Sequence, residues 1–362
     1  MKEVFFFVHL YNDFSGSPRV LKELINLYSG EKFLFTSQHG GFLENKNCSK
    51  IIVPYRRANN KYAVLFYYLI NQAYLFLVLF FFLTKMRIKG KTVTVVVNTL
   101  LPFSSSLVSK LFGVKCISYI HECYISPPIL LKFLRFISSK CSTKIIYVSK
   151  FLRDETNIKH PNSYVIYNPL PREYEENLEI DSQICERYND KRVLMVGSLK
   201  TYKGIFQFLK VAEKCPSYTF CLVINSDDDE FHDFKNKTYI PSNVEVIVRP
   251  DNLPEIYKSS MVLLNLTLPD LCKETFGLTV IEGLSKGCPA IVPPAGGPVE
   301  ITNNDCAFIV DPYDIKKLVD TLNILLGDPI LWRRMSTASV LQSKKFSIKS
   351  YQSNIKNIIF EN

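Results

Sequence analysis

The sequence predicts an α/β protein of two Rossmann-like domains facing a cleft, and three observations carry that prediction. The chain has 362 residues, enough for two domains at roughly 150 residues each. Short β-branched and aromatic runs alternate with helical segments, the pattern of βαβ units and a parallel sheet. That alternation stops once, over residues 171–191, where Pro171 and the run Arg172-Glu173-Tyr174-Glu175-Glu176 read as a connection, and then resumes.

Taken in order, residues 4–9 form a strand, 11–18 a polar loop and 19–28 a helix. Strands follow at 32–36, 50–53, 92–97, 115–120 and 144–148, the last closed by Ser149 as a helix N-cap. The second series has strands at 192–196, 219–224, 244–248, 262–265 and 290–292, with helices at 203–214 and 277–286 and helical segments from Pro312 onward. The domains are therefore 1–170 and 192–345, with 171–191 between them and a closing helix, 346–362, that packs back on the first domain.

Composition narrows the class. Hydrophobic residues make up 47% and charged residues 22%, so the chain has apolar surface enough to offset the entropy of ordering and is not disordered. The 14 glycines have no triplet period, and no repeat of about 20–50 residues suggests a solenoid or propeller. The ten cysteines include no C-x-x-C pair and no zinc-ligand spacing, and read as buried reduced thiols of a cytosolic protein. The opening run Val4-Phe5-Phe6-Phe7-Val8 lacks a small-residue cleavage site and reads as a first strand, not a signal peptide. Charge is uneven. Residues 1–170 carry 22 basic and 8 acidic side chains, a net of +14, while the rest carries −4. Such a half needs an anionic partner or surface, nucleic acid and an anionic membrane leaflet being the usual candidates, unless it is simply a solvated basic face.

Residues 62–84 contain no charge and are mostly Leu, Phe, Tyr, Val and Ile. They are long enough to cross a bilayer, which takes about 20 residues. Arg56, Arg57 and Lys61 precede them and Lys85, Arg87, Lys89 and Lys91 follow, so the flanks set no orientation. Asn71 and Gln72 near the middle disfavour a lone span. Three readings stand: a helix embedded in the face of a membrane, a buried core helix, and a span. Residues 128–140 repeat the theme, with Ile129, Phe133 and Phe136 among Lys132, Arg135 and Lys140, a basic amphipathic helix that suits either a membrane surface or packing on a sheet.

The densest chemical signal is Lys273-Glu274-Thr275-Phe276-Gly277-Leu278-Thr279-Val280-Ile281-Glu282. Glu274 precedes a helix and Glu282 lies within it, with seven residues between them. Amides around Thr275, Phe276, Gly277 and Leu278 are the donors left unpaired at a helix start, an anion site, and Gly277 permits close approach of the backbone. Phosphates at the amides and hydroxyls at the two carboxylates describe a nucleotide sugar. Upstream, the strand ending in Gly197 leads to Lys203 beside Gly204 at a helix start, where a lysine neutralises a diphosphate. Downstream come Gly287-Cys288-Pro289 and Gly296-Gly297-Pro298. The run Asp227-Asp228-Asp229-Glu230 invites a hard cation but follows a strand in polar company, and reads as a solvated loop with no metal.

These elements, in this order and spacing, resemble the family 4 retaining glycosyltransferases, which have the two-domain GT-B fold. The likeness covers almost the whole chain and is strongest over 192–312. In the first half, Ser15-Gly16-Ser17 resembles the family's Gly-rich loop after its first strand, and Tyr119-Ile120-His121-Glu122 its His-containing strand end. The resemblance implies that His121 and Glu274 lie at the donor sugar as catalytic residues, that Glu282 holds the ribose and Lys203 the diphosphate, and that Gly16 lets its loop close on the phosphates. Two departures stand out: Ser198 replaces a usual basic residue, leaving Lys200 as the candidate substitute, and the first loop has one glycine where two are common. The function implied is transfer of a sugar, with retention, from a nucleotide-diphosphate-sugar to a lipid-linked or oligosaccharide acceptor in cell-surface polysaccharide or lipopolysaccharide assembly. The expectation includes no further cofactor, no metal, no nucleic acid, and a cytoplasmic location, peripheral on the anionic inner face of the cytoplasmic membrane. A nucleotide-sugar epimerase on the same fold and a non-catalytic membrane-associated scaffold are the alternatives.

Overall fold

The structure, a computed structural model, describes residues 3–44, 48–56, 58, 60–175, 187–188 and 190–360. It divides into two compact units. The first is Met1–Tyr167 with Gln352–Asn362, the second Asn168–Tyr351.

The first unit is a seven-stranded parallel sheet in the order β3-β2-β1-β4-β5-β6-β7. Its strands are β1 (Val4–Val8), β2 (Lys32–Thr36), β3 (Ser49–Ile52), β4 (Val93–Asn98), β5 (Lys115–Ile120), β6 (Lys144–Tyr147) and β7 (Ser163–Val165). The helices are α1 (Gly16–Leu27), α2 (Lys61–Ile88), α3 (Phe103–Phe112), α4 (Pro128–Cys141) and α5 (Lys150–Thr156). β1 and β4 are apolar at nearly every position, and both faces are covered, as parallel strands require. Ser149 caps α5, its side chain accepting from Leu152 N–H as its sequence position predicts. Strand order reverses between β1 and β4, and such a switch opens a crevice at the carboxyl ends of the strands.

α2 connects β3 to β4 and belongs to the domain. Leu75, Leu79, Leu83 and Met86 are buried against Phe6, Phe35, Val95 and Val97 of the sheet. Asn71 donates to the Pro54 carbonyl (2.8 Å), and Gln72 accepts from the amide and hydroxyl of Ser104 on α3. The two polar residues in mid-helix therefore lie on the protein side, each satisfied. Only 28% of the helix's most apolar 18-residue stretch is buried. A wholly buried core helix is thus not what the sequence encodes here.

The second unit is a six-stranded parallel sheet in the order β10-β9-β8-β11-β12-β13. Its strands are β8 (Arg192–Gly197), β9 (Thr219–Ile224), β10 (Val244–Val248), β11 (Val262–Leu264), β12 (Ala290–Val292) and β13 (Ala307–Ile309). Order reverses between β8 and β11, so the same kind of crevice forms at Gly197 and Asn265. The core gathers Val193, Phe208, Phe220, Leu222, Leu264 and Trp332.

Two local expectations change. The helix expected from 203 starts as a 3-10 turn, Thr201–Lys203, and only after Gly204, at φ 79°, does the α-helix Ile205–Lys214 begin. The acidic run is not a loop. Asp227 caps the helix Asp228–Lys237, accepting from Glu230 N–H (2.8 Å), and Phe231 and Phe234 pack on the core. Acidic residues at a helix start and Lys235 and Lys237 in its last turn both suit the helix dipole.

The boundary between units also falls earlier than 170. Leu170 N–H donates to the Phe346 carbonyl, and Tyr174 packs its ring against Tyr257. Most of the expected connection, residues 176–186 and 189, lies outside the described residues, as does Cys185. Arg187 is buried, donating to the carbonyls of Lys286, Tyr257 and Ser260. The closing segment, expected as 346–362, is divided: it belongs to the second unit as far as Tyr351 and to the first from Gln352 on, where Lys115 and Lys144 donate to the carbonyls of Ile359 and Ile358, and Phe360 packs on Phe5 and Tyr28.

Candidate functional site

In the second unit the sequence candidates converge at the carboxyl ends of β8 and β11. The turn after β8 carries Lys203, and the loop after β11 carries Glu274. The two turns are tied together by Leu268 N–H donating to the Tyr202 carbonyl (2.8 Å). Gly204 is needed here, because a Cβ on it would stand 2.1 Å from the Leu266 carbonyl oxygen.

Lys203 Nζ lies 3.4 Å from Glu274 Oε1. Glu274 Oε2 accepts from Asn265 Nδ2 (2.7 Å) and Thr267 Oγ1 (3.2 Å). Burial pushes the Glu274 carboxyl upward, but the Lys203 ammonium and the two donors outweigh it and hold the carboxyl below its ordinary value. Burial likewise pulls Lys203 down, yet the Glu274 carboxylate raises it overall. Both groups are therefore charged at neutral pH. Lys200 is engaged elsewhere, 3.0 Å from Glu230 on the helix Asp228–Lys237, and not with the Lys203–Glu274 pair.

Glu274 leads into the helix Leu278–Ser285, whose N-cap is Gly277 at φ 106°. Thr275, Leu278 and Thr279 are partly exposed there, and the amides of Leu278 and Thr279 belong to the first turn, which has no acceptor within the helix. Phe276 is different: its ring is buried edge-on against Phe346 (5.9 Å), so only its backbone can face a ligand. Gly296 and Gly297 explain themselves structurally. Gly297 N–H donates to the Glu274 carbonyl (2.8 Å), and a Cβ on either glycine would come within 2.6 Å of the backbone of Glu274 or Phe276. That close approach fixes the segment bearing the first glutamate.

Glu282 sits on the same helix but only 2% exposed, with Oε2 accepting from Tyr257 Oη (3.0 Å). The ribose role expected of Glu282 has to be exercised from this buried position. Tyr257, Asn265 and Thr267 were not singled out from the sequence. Asn265 and Thr267 follow a short strand at a topological switch, the one cue that could have found them.

The first unit has its own cluster at the carboxyl ends of β1, β4 and β5. Gly16, expected in a phosphate-closing loop, is instead the first residue of α1. Asn98, fully buried at the end of β4, joins three partners. Its Nδ2 donates to Ser17 carbonyl (3.1 Å) and lies 3.0 Å from His9 Nδ1, while its Oδ1 lies 2.9 Å from His121 Nε2. Because the Ser17 carbonyl can only accept, Asn98 presents its oxygen to His121, which assigns the proton of His121 to Nε2. Burial, then the neighbouring His9, lowers His121 to about 3; burial lowers His9 to about 4. Both imidazoles are neutral near pH 7. Beside them Glu122 accepts from the amides of Leu100 and His121, and burial pushes its carboxyl up to about 7 against those bonds. His9 and Asn98 escaped the sequence reading, because only strand order makes neighbours of residues 9, 98 and 121; Glu122, adjacent to His121, was given no role there.

Residues 178–340 match the model of the family described as glycosyl transferases group 1. Over 180 residues the chain is 27% identical to an uncharacterized glycosyltransferase of Haemophilus influenzae, a match covering 48% of this chain and 50% of the relative. The chain thus spans about half the length, or less, of the curated relatives it matches. Among solved structures, Anabaena Alr3699/HepE in complex with UDP-glucose is similar at a TM-score of 0.81 and 14% identity, covering 99% of this chain and 100% of that one. The lipopolysaccharide outer core galactosyltransferase WaaB is similar at 0.69 and 16%, covering 99% of each. The fold, two parallel-sheet Rossmann-like domains, is that of the GT-B glycosyltransferases.

Proposed function

We propose that this chain, a GT-B fold whose residues 178–340 match the glycosyl transferases group 1 family, is a glycosyltransferase that takes its sugar from a nucleotide-diphosphate-sugar and passes it, with retention of configuration, to a lipid-linked saccharide at the cytoplasmic face of a membrane. The observation that carries the reading is the Lys203–Glu274 pair set beside the first-turn amides of the helix Leu278–Ser285. A cation and free amides receive a diphosphate, and a carboxylate oriented by Asn265 and Thr267 receives sugar hydroxyls.

In this mechanism the bond from the anomeric carbon to the diphosphate oxygen breaks, the acceptor's hydroxyl oxygen ends bonded to that carbon on the same face with its proton passing to the departing diphosphate, and negative charge grows on that diphosphate as it leaves. Lys203 and the amides of Leu278 and Thr279 stabilise that charge, a fixed electrostatic contribution worth about 10²–10³-fold in rate for one donor. No metal and no further cofactor enters the step. Glu274 stays held at Oε2 by Asn265 and Thr267, and its Oε1, paired with Lys203, is the oxygen left to a sugar hydroxyl once the diphosphate engages that lysine. Glu282 holds the ribose and Tyr257 holds Glu282. The neutral His121, oriented by Asn98, acts toward the donor sugar, a role that rests on the family resemblance. UDP-glucose in the Anabaena neighbour supports a nucleotide-sugar donor, and the description of WaaB as a lipopolysaccharide outer core galactosyltransferase supports a saccharide on a lipid as acceptor.

The test is a donor screen in which nucleoside diphosphate release is followed over a crude lipid-linked saccharide extract and the product's anomeric configuration is read by NMR. Release that requires the extract and gives the donor's own configuration is expected. Release of a free isomeric sugar without acceptor would identify an epimerase, and donor binding without turnover over the whole panel would identify a scaffold.

A further inference from the structure

α2 lies on the sheet by one stripe only. Its other side exposes Tyr62, Phe66, Leu69, Ile70, Leu77 and Phe81, with Leu77 66% and Phe81 62% exposed. A soluble amphipathic helix would place polar residues there. At roughly 150–250 Å² per large side chain and exposures of 50–71%, these six present on the order of 500–900 Å² of apolar surface, at or above the upper end of the roughly 300–600 Å² of the largest patch on an ordinary monomer. α3 packs between α2 and α4, and α4 continues the surface with Ile129, Phe133 and Phe136, all exposed at i, i+4 and i+7.

Charge says what covers this face. Both ends of α2 are cationic and neither is acidic: Arg56 and Lys61 at the start, Lys85, Arg87 and Lys89 at the end. Lys85, Arg87 and Lys89 have no ion-pair partner among the described residues. α4 adds Lys132 and Lys140, both partly or fully exposed. At the C-terminal end of α2 a recess of about 630 Å³ sets Arg87, Lys91 and Lys115 around Leu83 and Phe112, with Glu3 also on its wall. An apolar strip framed by cations matches one surface, the boundary between acyl chains and anionic headgroups.

We propose that the outer face of α2, with α4, docks flat on an anionic phospholipid bilayer, the apolar side chains entering the acyl boundary and Arg56, Lys61, Lys85, Arg87, Lys89 and Lys132 meeting headgroup phosphates. The docking deepens the reading of a lipid-linked acceptor and rests on it for its purpose; its evidence is independent. α2 lies in the interface and does not cross it, because its buried stripe is part of the sheet's core and withdrawing the stripe would expose Phe6, Phe35 and Val95.

The test is flotation of the full chain with phosphatidylcholine vesicles, with and without phosphatidylglycerol, at low and high salt. Binding should need phosphatidylglycerol, fall with salt, and leave a salt-resistant remainder. Replacing Lys85, Arg87 and Lys89 with Gln should weaken binding about 100-fold, at about fivefold for each cation near the surface. Leu77→Ser with Phe81→Ser should abolish the salt-resistant remainder, while circular dichroism and nucleoside diphosphate affinity stay unchanged. The proposal is overturned if the chain ignores anionic vesicles at low salt, if it binds neutral and anionic vesicles alike, if only detergent releases it, or if sedimentation shows a dimer that Leu77→Ser with Phe81→Ser dissociates. Vesicle binding without sugar transfer would overturn the enzyme reading and leave the docking intact.

Discussion

Lys203 and Lys200 stand three residues apart and face different fates. Lys200 pairs with Glu230 at the surface, and exposed pairs contribute about 0–1 kcal/mol. Lys203 pairs with Glu274 where both side chains are largely covered. Lys203→Ala leaves a partly buried carboxylate without its cation, which should cost up to about 3 kcal/mol, whereas Lys200→Ala should cost less than about 1 kcal/mol. Urea unfolding of the two variants measures this, and turnover should follow the same order. Glu282→Gln separates ribose binding from packing: it keeps an acceptor for Tyr257 but loses the charge. Calorimetry should show nucleoside diphosphate affinity weakened by about 1.5–3 kcal/mol, the value of a charge-assisted hydrogen bond, and unchanged affinity would remove Glu282 from the donor site.

The first unit's cluster makes a signed pH prediction. His9 and His121 titrate near 4 and 3 in the folded chain against 6.5 unfolded. From pH 6.5 down to about 4 the unfolded chain binds protons that the folded chain refuses, so stability falls on acidification by up to about 1.4 kcal/mol per pH unit for each histidine. Glu122 acts in the opposite sense. Its folded value near 7 lies above 4.5, so the folded chain gains a proton between pH 7 and 4.5 and stability rises as pH falls. Two losses against one gain leave a net loss, and Glu122→Gln should steepen it. Denaturant unfolding at pH 7, 6 and 5 decides the matter; an unaltered slope in the variant would show that Glu122 is not the offsetting group.

At the scale of elements, three glycines hold the second unit's turns. A Cβ added to Gly204, at φ 79°, would stand 2.1 Å from the Leu266 carbonyl oxygen, and one added to Gly296, at φ 84°, would stand 2.6 Å from the Glu274 carbonyl oxygen. Gly297 lets the helix Gly297–Ile301 start against Phe276. Gly204→Ala and Gly296→Ala therefore combine overlap with backbone in both cases and an unfavourable φ, and should destabilise by more than about 1–3 kcal/mol each. Gly327 ends the helix Ile315–Gly327 with nothing within 4 Å of an added Cβ, so Gly327→Ala should be neutral or stabilise by up to about 1 kcal/mol. Thermal unfolding of the three variants reads the contrast. Strand and helix positions were legible from β-branched runs and caps, as at Ser149. The 3-10 turn before Gly204 and the helix Asp228–Lys237 were not, since the first depends on contact with Leu266 and the second hides its two phenylalanines behind four acids.

At the scale of the whole molecule, residues 352–360 complete the first unit. Phe360 packs on Phe5 and Tyr28, and the carbonyls of Ile358 and Ile359 accept from Lys144 and Lys115. Phe360→Ala should lower the stability of the first unit by about 2–3 kcal/mol, less than the roughly 3–5 kcal/mol of a fully buried phenylalanine because the ring is only partly covered. Nucleoside diphosphate affinity should be unchanged, because Lys203, Glu274 and the helix Leu278–Ser285 all belong to the second unit. Hydrogen exchange localised to β1 and α1, with calorimetry alongside, measures both halves of that expectation.

The sequence by itself determined two parallel-sheet domains, the Glu274–Glu282 spacing at a helix start, Lys203 beside Gly204, and an uncharged helix bracketed by cations, because each is written in neighbouring residues or in a local period. Tertiary structure decided the rest. It brought His9, Asn98 and His121 together through a strand order that runs β1-β4-β5, set Asn265 and Thr267 on Glu274, buried Glu282 under Tyr257, and chose which side of α2 faces outward. Those relations join residues far apart in the chain, and only sheet order and the packing of side chains on it can fix them.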